Sequence, residues 1–168
     1  MTALSRLDLI TTWGVIRVQS EHGLLTHCDL PLPSTRNPSF RILAGKLCSQ
    51  TPHDRRALQQ ARKFLHACLR GRPATVMPPL RPVARTTFTA RVLAALRRIP
   101  RGTTITYGEL ARRMGAPRAA RAVGTACGAN PLPLFIPCHR VVAAGGRLGG
   151  FSAGLAWKRF LLAKECAS

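Results

Sequence analysis

The chain has 168 residues, 26 of them Lys or Arg and only 6 Asp or Glu, for a formal net charge of +20. That length suits one domain or two small ones. The longest uninterrupted apolar stretches run only a few residues, which excludes a spanning helix of about 20, and the first thirty residues lack the charged start, apolar run and cleavage site of a leader, so a cytoplasmic protein is expected. The excess of positive charge favours a polyanionic partner, nucleic acid first, with a ribosomal-type binder or a merely arginine-rich composition as the bland alternatives.

Six cysteines (Cys28, Cys48, Cys68, Cys127, Cys138 and Cys166) are even in number. Without a secretory leader, the reducing cytosol argues against three structural bridges. No C-x-x-C pair occurs, and His22, His27 and Cys28 are spaced too loosely for zinc, so no metal is expected.

In chain order, Leu9–Val18 and Leu24–Leu30 read as extended runs around the turn-prone Glu21-His22-Gly23, a hairpin opening a sheet. Residues 31–38 read as loop. Arg55–Leu69 predicts a helix carrying Leu58, Ala61, Phe64, Leu65 and Cys68 on one stripe, ended by Gly71 and Pro73. The run Met77-Pro78-Pro79-Leu80-Arg81-Pro82 is too proline-dense for a helix interior or a central strand and reads as a connection. Two domains follow, 1–82 and 83–168, with the boundary near residue 83. The first holds 12 basic and 4 acidic side chains, the second 14 basic and only 2 acidic, Glu109 and Glu165. The second domain is therefore expected to face nucleic acid.

Thr106-Tyr107-Gly108-Glu109 fits a capping box, with Thr106 capping the first turn and Glu109 reaching back to the Thr106 amide. The helix it starts carries Leu110, Ala111 and Met114 inward until Gly115. Pro117 can open a second helix running to about Cys127, ended by Gly128. Two short helices around a tight turn suggest a helix-turn-helix. The second is built of arginines on very small residues; close approach to a duplex and a tight helix–helix contact explain it equally well.

Pro131 to Pro137 brackets a short apolar run that delivers Cys138, flanked by His139 and Arg140. A neighbouring imidazole and positive charge are expected to favour the thiolate, the nucleophilic form, whereas the bland reading is an inert buried cysteine. Adjacent side chains on a strand point to opposite faces, so a turn or a bridging water is needed for His139 to serve Cys138. Residues 141–150 are strand-like, then glycine-rich. A last helix is expected over Leu155–Cys166 with Trp157, Phe160, Leu161 and Lys164 at helical spacing. Glu165 near its C-terminus opposes the helix dipole, so either it has a compensating partner, an imidazole N–H being a candidate, or it is a plain surface glutamate.

Over residues 87–165 the chain resembles the O6-alkylguanine-DNA alkyltransferases, also called methylated-DNA-protein-cysteine methyltransferases. The resemblance rests on Pro137-Cys138-His139-Arg140-Val141, supported in order by Thr106-Tyr107-Gly108-Glu109-Leu110-Ala111, Arg121-Ala122-Val123-Gly124, Asn130-Pro131 and Gly150-Phe151-Ser152. It implies an α+β protein: a small N-terminal α/β domain of RNase H-like type that supports a mostly helical winged-helix or helix-turn-helix domain.

The implied activity is direct reversal of DNA damage, a single-use, irreversible transfer of the alkyl group from O6-alkylguanine, and O4-alkylthymine, to Cys138. The alternative is a non-catalytic basic DNA-binding protein. His139 would act as base through a bridging water, oriented by Glu165; Tyr107 would offset charge on the leaving guanine; Asn130 would brace the active-site turn. Ser152 would bond O6, the carbonyls of Cys138 and Val141 would accept from the exocyclic amine, and Pro133, Phe151 and Lys158 would complete the substrate pocket. On the DNA side the resemblance implies Arg121, Ala122, Thr106 and Arg118, a helix in the minor groove, and Arg121 entering the stack left by a flipped base. It implies no cofactor and a monomer. One departure stands out: the family's usual tyrosine before the active-site serine is Phe151, which removes a hydroxyl from the pocket wall.

Overall fold

The computed structural model describes residues 4–33, 39–82 and 87–166. The chain divides into two compact units, residues 1–81 and 82–168. The expected boundary near residue 83, and residues 34–38 of the expected loop, lie outside the described residues.

In the first unit four antiparallel strands, β1 (Ser5–Thr11), β2 (Gly14–Glu21), β3 (Leu24–Asp29) and β4 (Ile42–Cys48), form a sheet in the order β3-β2-β1-β4. Alternation writes β1 and β2: Leu7, Leu9, Ile16 and Val18 are fully buried, while Arg6, Asp8 and Arg17 pair on the other face. Each such aliphatic side chain contributes about 1.5–3 kcal/mol by its burial. The run Leu9–Val18 is not continuous as expected; it breaks at Thr12–Trp13. There Thr11 donates its hydroxyl to the Gly14 carbonyl (2.7 Å) and accepts from the Trp13 amide. Gly14 sits at φ 119°, where a Cβ would meet Pro31 at 2.7 Å, so apolar alternation continues straight across a turn. The hairpin at His22-Gly23, with φ 53° and 77°, lies where the turn residues place it.

Helix α1 (Pro52–Leu69) starts three residues before the expected Arg55. Thr51 accepts from the Asp54 amide as N-cap and Pro52 takes the first position. Its inward stripe is Ala57, Leu58, Ala61, Phe64, Leu65 and Leu69, whereas Cys68 is only partly buried.

The second unit comprises α2 (Thr87–Leu96), β5 (Ile105–Thr106), α3 (Tyr107–Arg113), α4 (Ala120–Gly128), β6 (Val141–Val142) and α5 (Leu155–Cys166). Its core gathers Val92, Leu96, Leu110, Ala111, Val123, Leu132, Phe135, Val141 and Trp157. Thr106 caps α3 by accepting from the Glu109 amide at 3.0 Å, but Glu109 does not reach back. Its carboxylate pairs with Arg112 and Arg113 one turn on, because helical i,i+3 and i,i+4 cations outcompete an amide for it. Gly115 (φ 72°) ends the helix, and α4 begins at Ala120 rather than Pro117. Residues 117–118 form a turn, closed by the Ala119 amide on the Ala116 carbonyl. Strands β5 and β6 pair in parallel, Ile105 with Val141 and Thr106 with Val142. That short ladder fixes the start of α3 beside the segment that follows Cys138. No described helix is long and apolar enough to cross a membrane.

Candidate active site

The apolar run before Cys138 is a buried loop, closed by the Ile136 amide on the Leu132 carbonyl (2.9 Å) and braced by one side chain. Asn130 accepts from the Leu132 amide through Oδ1 (3.1 Å), and its Nδ2 donates to the Ile136 carbonyl (2.9 Å) and to Cys138 Sγ (3.2 Å). Leu134 at φ 74° is the strained position inside this loop. At Pro137 (φ −79°, ψ 62°) the chain makes an inverse γ-turn, with the Cys138 amide on the Ile136 carbonyl at 2.8 Å. Cys138–Arg140 then form one 3-10 turn. That turn removes the difficulty raised by adjacency: Cys138 and His139 are not alternating strand residues, and both are buried, at 5% and 2% exposed.

His139 Nε2 lies 3.0 Å from Glu165 Oε1. A carboxylate only accepts, so Nε2 carries the hydrogen and Nδ1 is left as a base. Nδ1 is buried without a protein partner among the described residues. Glu165 is thus the partnered acid of the two readings its position left open. Its second partner is one that sequence reasoning missed. Arg140 Nη2 and Nε donate to Oε1 (2.8 and 3.2 Å), Nε also donates to Oε2 (3.0 Å), and Nη1 is held by the Ile99 carbonyl (2.6 Å). The Gly102 amide adds a bond to Oε2 at 3.2 Å. The available signal was stoichiometric: with two acids in this half of the chain, the arginine beside the histidine had few carboxylates to choose from.

Lys158 is fully buried, with Nζ donating to the carbonyls of Val141 (2.7 Å) and Gly150 (3.1 Å) and standing 5.8 Å from the Tyr107 ring centroid. It ties the two sides of the glycine-rich loop together. Gly149 (φ 68°) packs where a Cβ would come within 2.9 Å of the Tyr107 ring, and the Tyr107 hydroxyl reaches the Gly150 carbonyl at 3.5 Å. Tyr107 therefore rests on loop backbone.

Burial raises the Cys138 thiol above its ordinary range, against the lowering pull of the Asn130 amide and the Lys158 ammonium. This corrects the expected thiolate: desolvation outweighs the nearby positive charge. Burial lowers the His139 imidazole, with Arg140 and Lys158 acting in the same direction and Glu165 opposing. Burial pushes Glu165 up, but its bonds to His139 and Arg140 prevail and hold it at about 2. Tyr107 is raised by burial and by Cys127 and Cys138. Both shifts favour the uncharged form, a neutral thiol beside a neutral imidazole.

A cavity of about 500 Å³ is lined by Cys138 together with Tyr107, Arg121, Cys127, Phe151 and Ser152, with Gly150 from the loop and Ala120, Gly124 and Gly128 from α4. The structure thus brings Cys138, Tyr107, Ser152 and Arg121 to one opening. Arg118 and Ala122 are exposed near the start of α4, and Thr106 serves as the cap of α3. Pro133 and Val141 are buried behind the cavity rather than among its lining residues. Cys127, read from sequence only as a helix end, lines it, and burial and Cys138 push its thiol up to about 12. The described residues hold no cluster suited to a metal ion.

The family model for the 6-O-methylguanine DNA methyltransferase DNA-binding domain matches residues 87–167. The chain is 54% identical over 78 residues to a methylated-DNA--protein-cysteine methyltransferase of Mycolicibacterium paratuberculosis, covering 46% of this chain and 47% of that protein. It is 50% identical over 80 residues to one of Methanosarcina acetivorans, covering 48% and 51%. These matches span about half the length of the curated relatives. Among solved structures, Mycobacterium tuberculosis OGT in complex with DNA superposes with a TM-score of 0.74 at 33% identity, over 95% of this chain and 91% of that one. The α+β architecture, an antiparallel four-stranded sheet with its helix followed by a helical unit, is that of this relative. Because a relative one third identical is matched over nearly its whole length, the chain belongs to the methylated-DNA-protein-cysteine methyltransferase family.

Proposed function

We propose that the protein repairs DNA by a single, irreversible transfer of the alkyl group from O6-alkylguanine, and from O4-alkylthymine, to Cys138. The observation that carries this reading is a buried cysteine lining a cavity, next to a histidine with one nitrogen on Glu165 and the other free to take a proton. A water between Cys138 Sγ and His139 Nδ1 relays the thiol proton to the imidazole. The sulfur attacks the alkyl carbon in line, an S–C bond forms as the C–O6 bond breaks, and the electron pair leaves on the guanine. Tyr107 donates to the guanine as its charge develops and Ser152 bonds O6. Thioether formation leaves no route back, so the protein acts once.

Arg121 lines the same cavity as Cys138, which supports an encounter that lays α4 in the minor groove, turns the damaged base out and fills the gap with that arginine. Ala120, Gly124 and Gly128 let the helix backbone approach closely. The test is mass spectrometry of the protein after incubation with a duplex carrying O6-methylguanine. The expected result is one methyl-sized gain per molecule, located on Cys138 and absent in Cys138→Ser, which still binds the duplex. Binding without any gain favours a non-catalytic DNA-binding protein; repeated turnover contradicts single use.

A further inference from the structure

Two adjacent residues of one turn, His139 and Arg140, bite the same carboxylate. Glu165 Oε1 accepts from His139 Nε2 at 3.0 Å and from Arg140 Nη2 at 2.8 Å, while Arg140 Nε bridges both oxygens. The side chains of His139, Arg140 and Glu165 are 3%, 15% and 11% exposed, so water screens this triad weakly. The far end of Arg140 is fixed by the Ile99 carbonyl.

In a catalytic triad an undivided carboxylate orients the imidazole and stabilises its protonated form. Here the carboxylate is already matched by a guanidinium in bidentate contact, so the imidazole faces an ion pair of net zero charge. The charged and titratable groups around it are Glu165 and Lys158 from α5 and Arg140 and Cys138 from its own turn. Two of these are cations, against one carboxylate.

We infer that Arg140 is a positioning residue that fixes Glu165 against His139 while cancelling its charge, so that the carboxylate orients the imidazole without making it a strong base. For the reaction, this rests on the function proposed above.

The test is NMR titration of the His139 imidazole in the full chain without DNA, with His139→Gln identifying the resonance. In the wild type the midpoint is expected below the ordinary histidine range near 6.5. A midpoint at or above that range, as an undivided couple gives, overturns the inference. Arg140→Met and Arg140→Gln should both raise the midpoint by about one unit or more, and Arg140→Lys should bring it back toward the wild type. The single-turnover rate of methyl transfer should follow, its acid limb moving up by the same amount in the neutral variants. An unmoved midpoint in a neutral variant that folds, with only the melting temperature lowered, means a merely structural arginine and overturns the inference. Because the titration needs no substrate, absence of methyl transfer with shifted midpoints counts against the proposed repair function and not against the role of Arg140.

Discussion

Each unit of this arginine-rich chain draws one carboxylate inward, Asp54 buried and Glu165 partly so, and the two are held in opposite ways. Asp54 in the first unit accepts only from neutral donors: the hydroxyls of Ser5, Ser20 and Thr51 and the amide of Gly23. Burial pushes it up and those four bonds bring it below its ordinary value. Glu165 in the second unit is held by an imidazole and a guanidinium. Asp54 stitches β1, β2, the hairpin turn and the start of α1 together, and no donor around it can change charge. Glu165 is wired to a group that can. A buried acid among hydroxyls is a fastener, whereas one shared between a histidine and an arginine sets how a proton moves.

The sharpest way to break this comparison is to remove each acid. Glu165→Ala leaves the Arg140 guanidinium without a counter-ion and is expected to cost about 3–5 kcal/mol of stability in the second unit, with loss of methyl transfer even in molecules that stay folded. The two tryptophans, Trp13 and Trp157, fall one in each unit, so urea melts read by fluorescence with Trp13→Phe in the background isolate this effect. Asp54→Asn should cost less, about 1–3 kcal/mol, confined to the Trp13 signal, with the transfer rate unchanged. A fall in rate there would mean that the fastener also serves the chemistry. Both acids are depressed in the folded state, so their contributions are fully present above the ordinary carboxylate range and are lost as pH falls through the folded values. For Glu165 that window runs from 4.5 down to about 2. The smallest expected effect is at the pocket wall: Phe151→Tyr should speed single-turnover transfer by roughly 2- to 10-fold, the worth of one hydrogen bond of about 0.5–1.5 kcal/mol to the leaving group. An unchanged rate would show that the missing hydroxyl is irrelevant here.

Local rules made much of this legible. The hairpin at His22-Gly23, the Thr106 cap, the stop at Gly115 and α5 over Leu155–Cys166 follow from turn residues, capping and periodicity that act within a few residues. What escaped depends on partners far away in sequence. The break at Thr12–Trp13 is enforced by Gly14 against Pro31, and β4 shows no alternation because most of its residues are exposed. Helix α2 lies in a stretch where Thr87, Thr89 and Val92 dilute the helical signal. At the site, the Cys-His-Arg run announced a reactive thiol, but its protonation was misread because flanking charge is visible in a sequence and desolvation is not. The partnership of Arg140 with Glu165 spans 25 positions, and no local pattern encodes it.

Asn130 has a consequence that extends past the reaction. Its amide is shared between the Ile136 carbonyl and the Cys138 sulfur, so one side chain both closes the loop and senses the chemical state of the thiol. In the proposed reaction the sulfur becomes a thioether, a weak acceptor like the thiol before it, and the added group brings bulk into a packed pocket at something like 1–3 kcal/mol of strain. The amide keeps its carbonyl, and its contact with the sulfur must make room for that group. On that reading, a used molecule would differ from a fresh one in how firmly residues 130–138 are held.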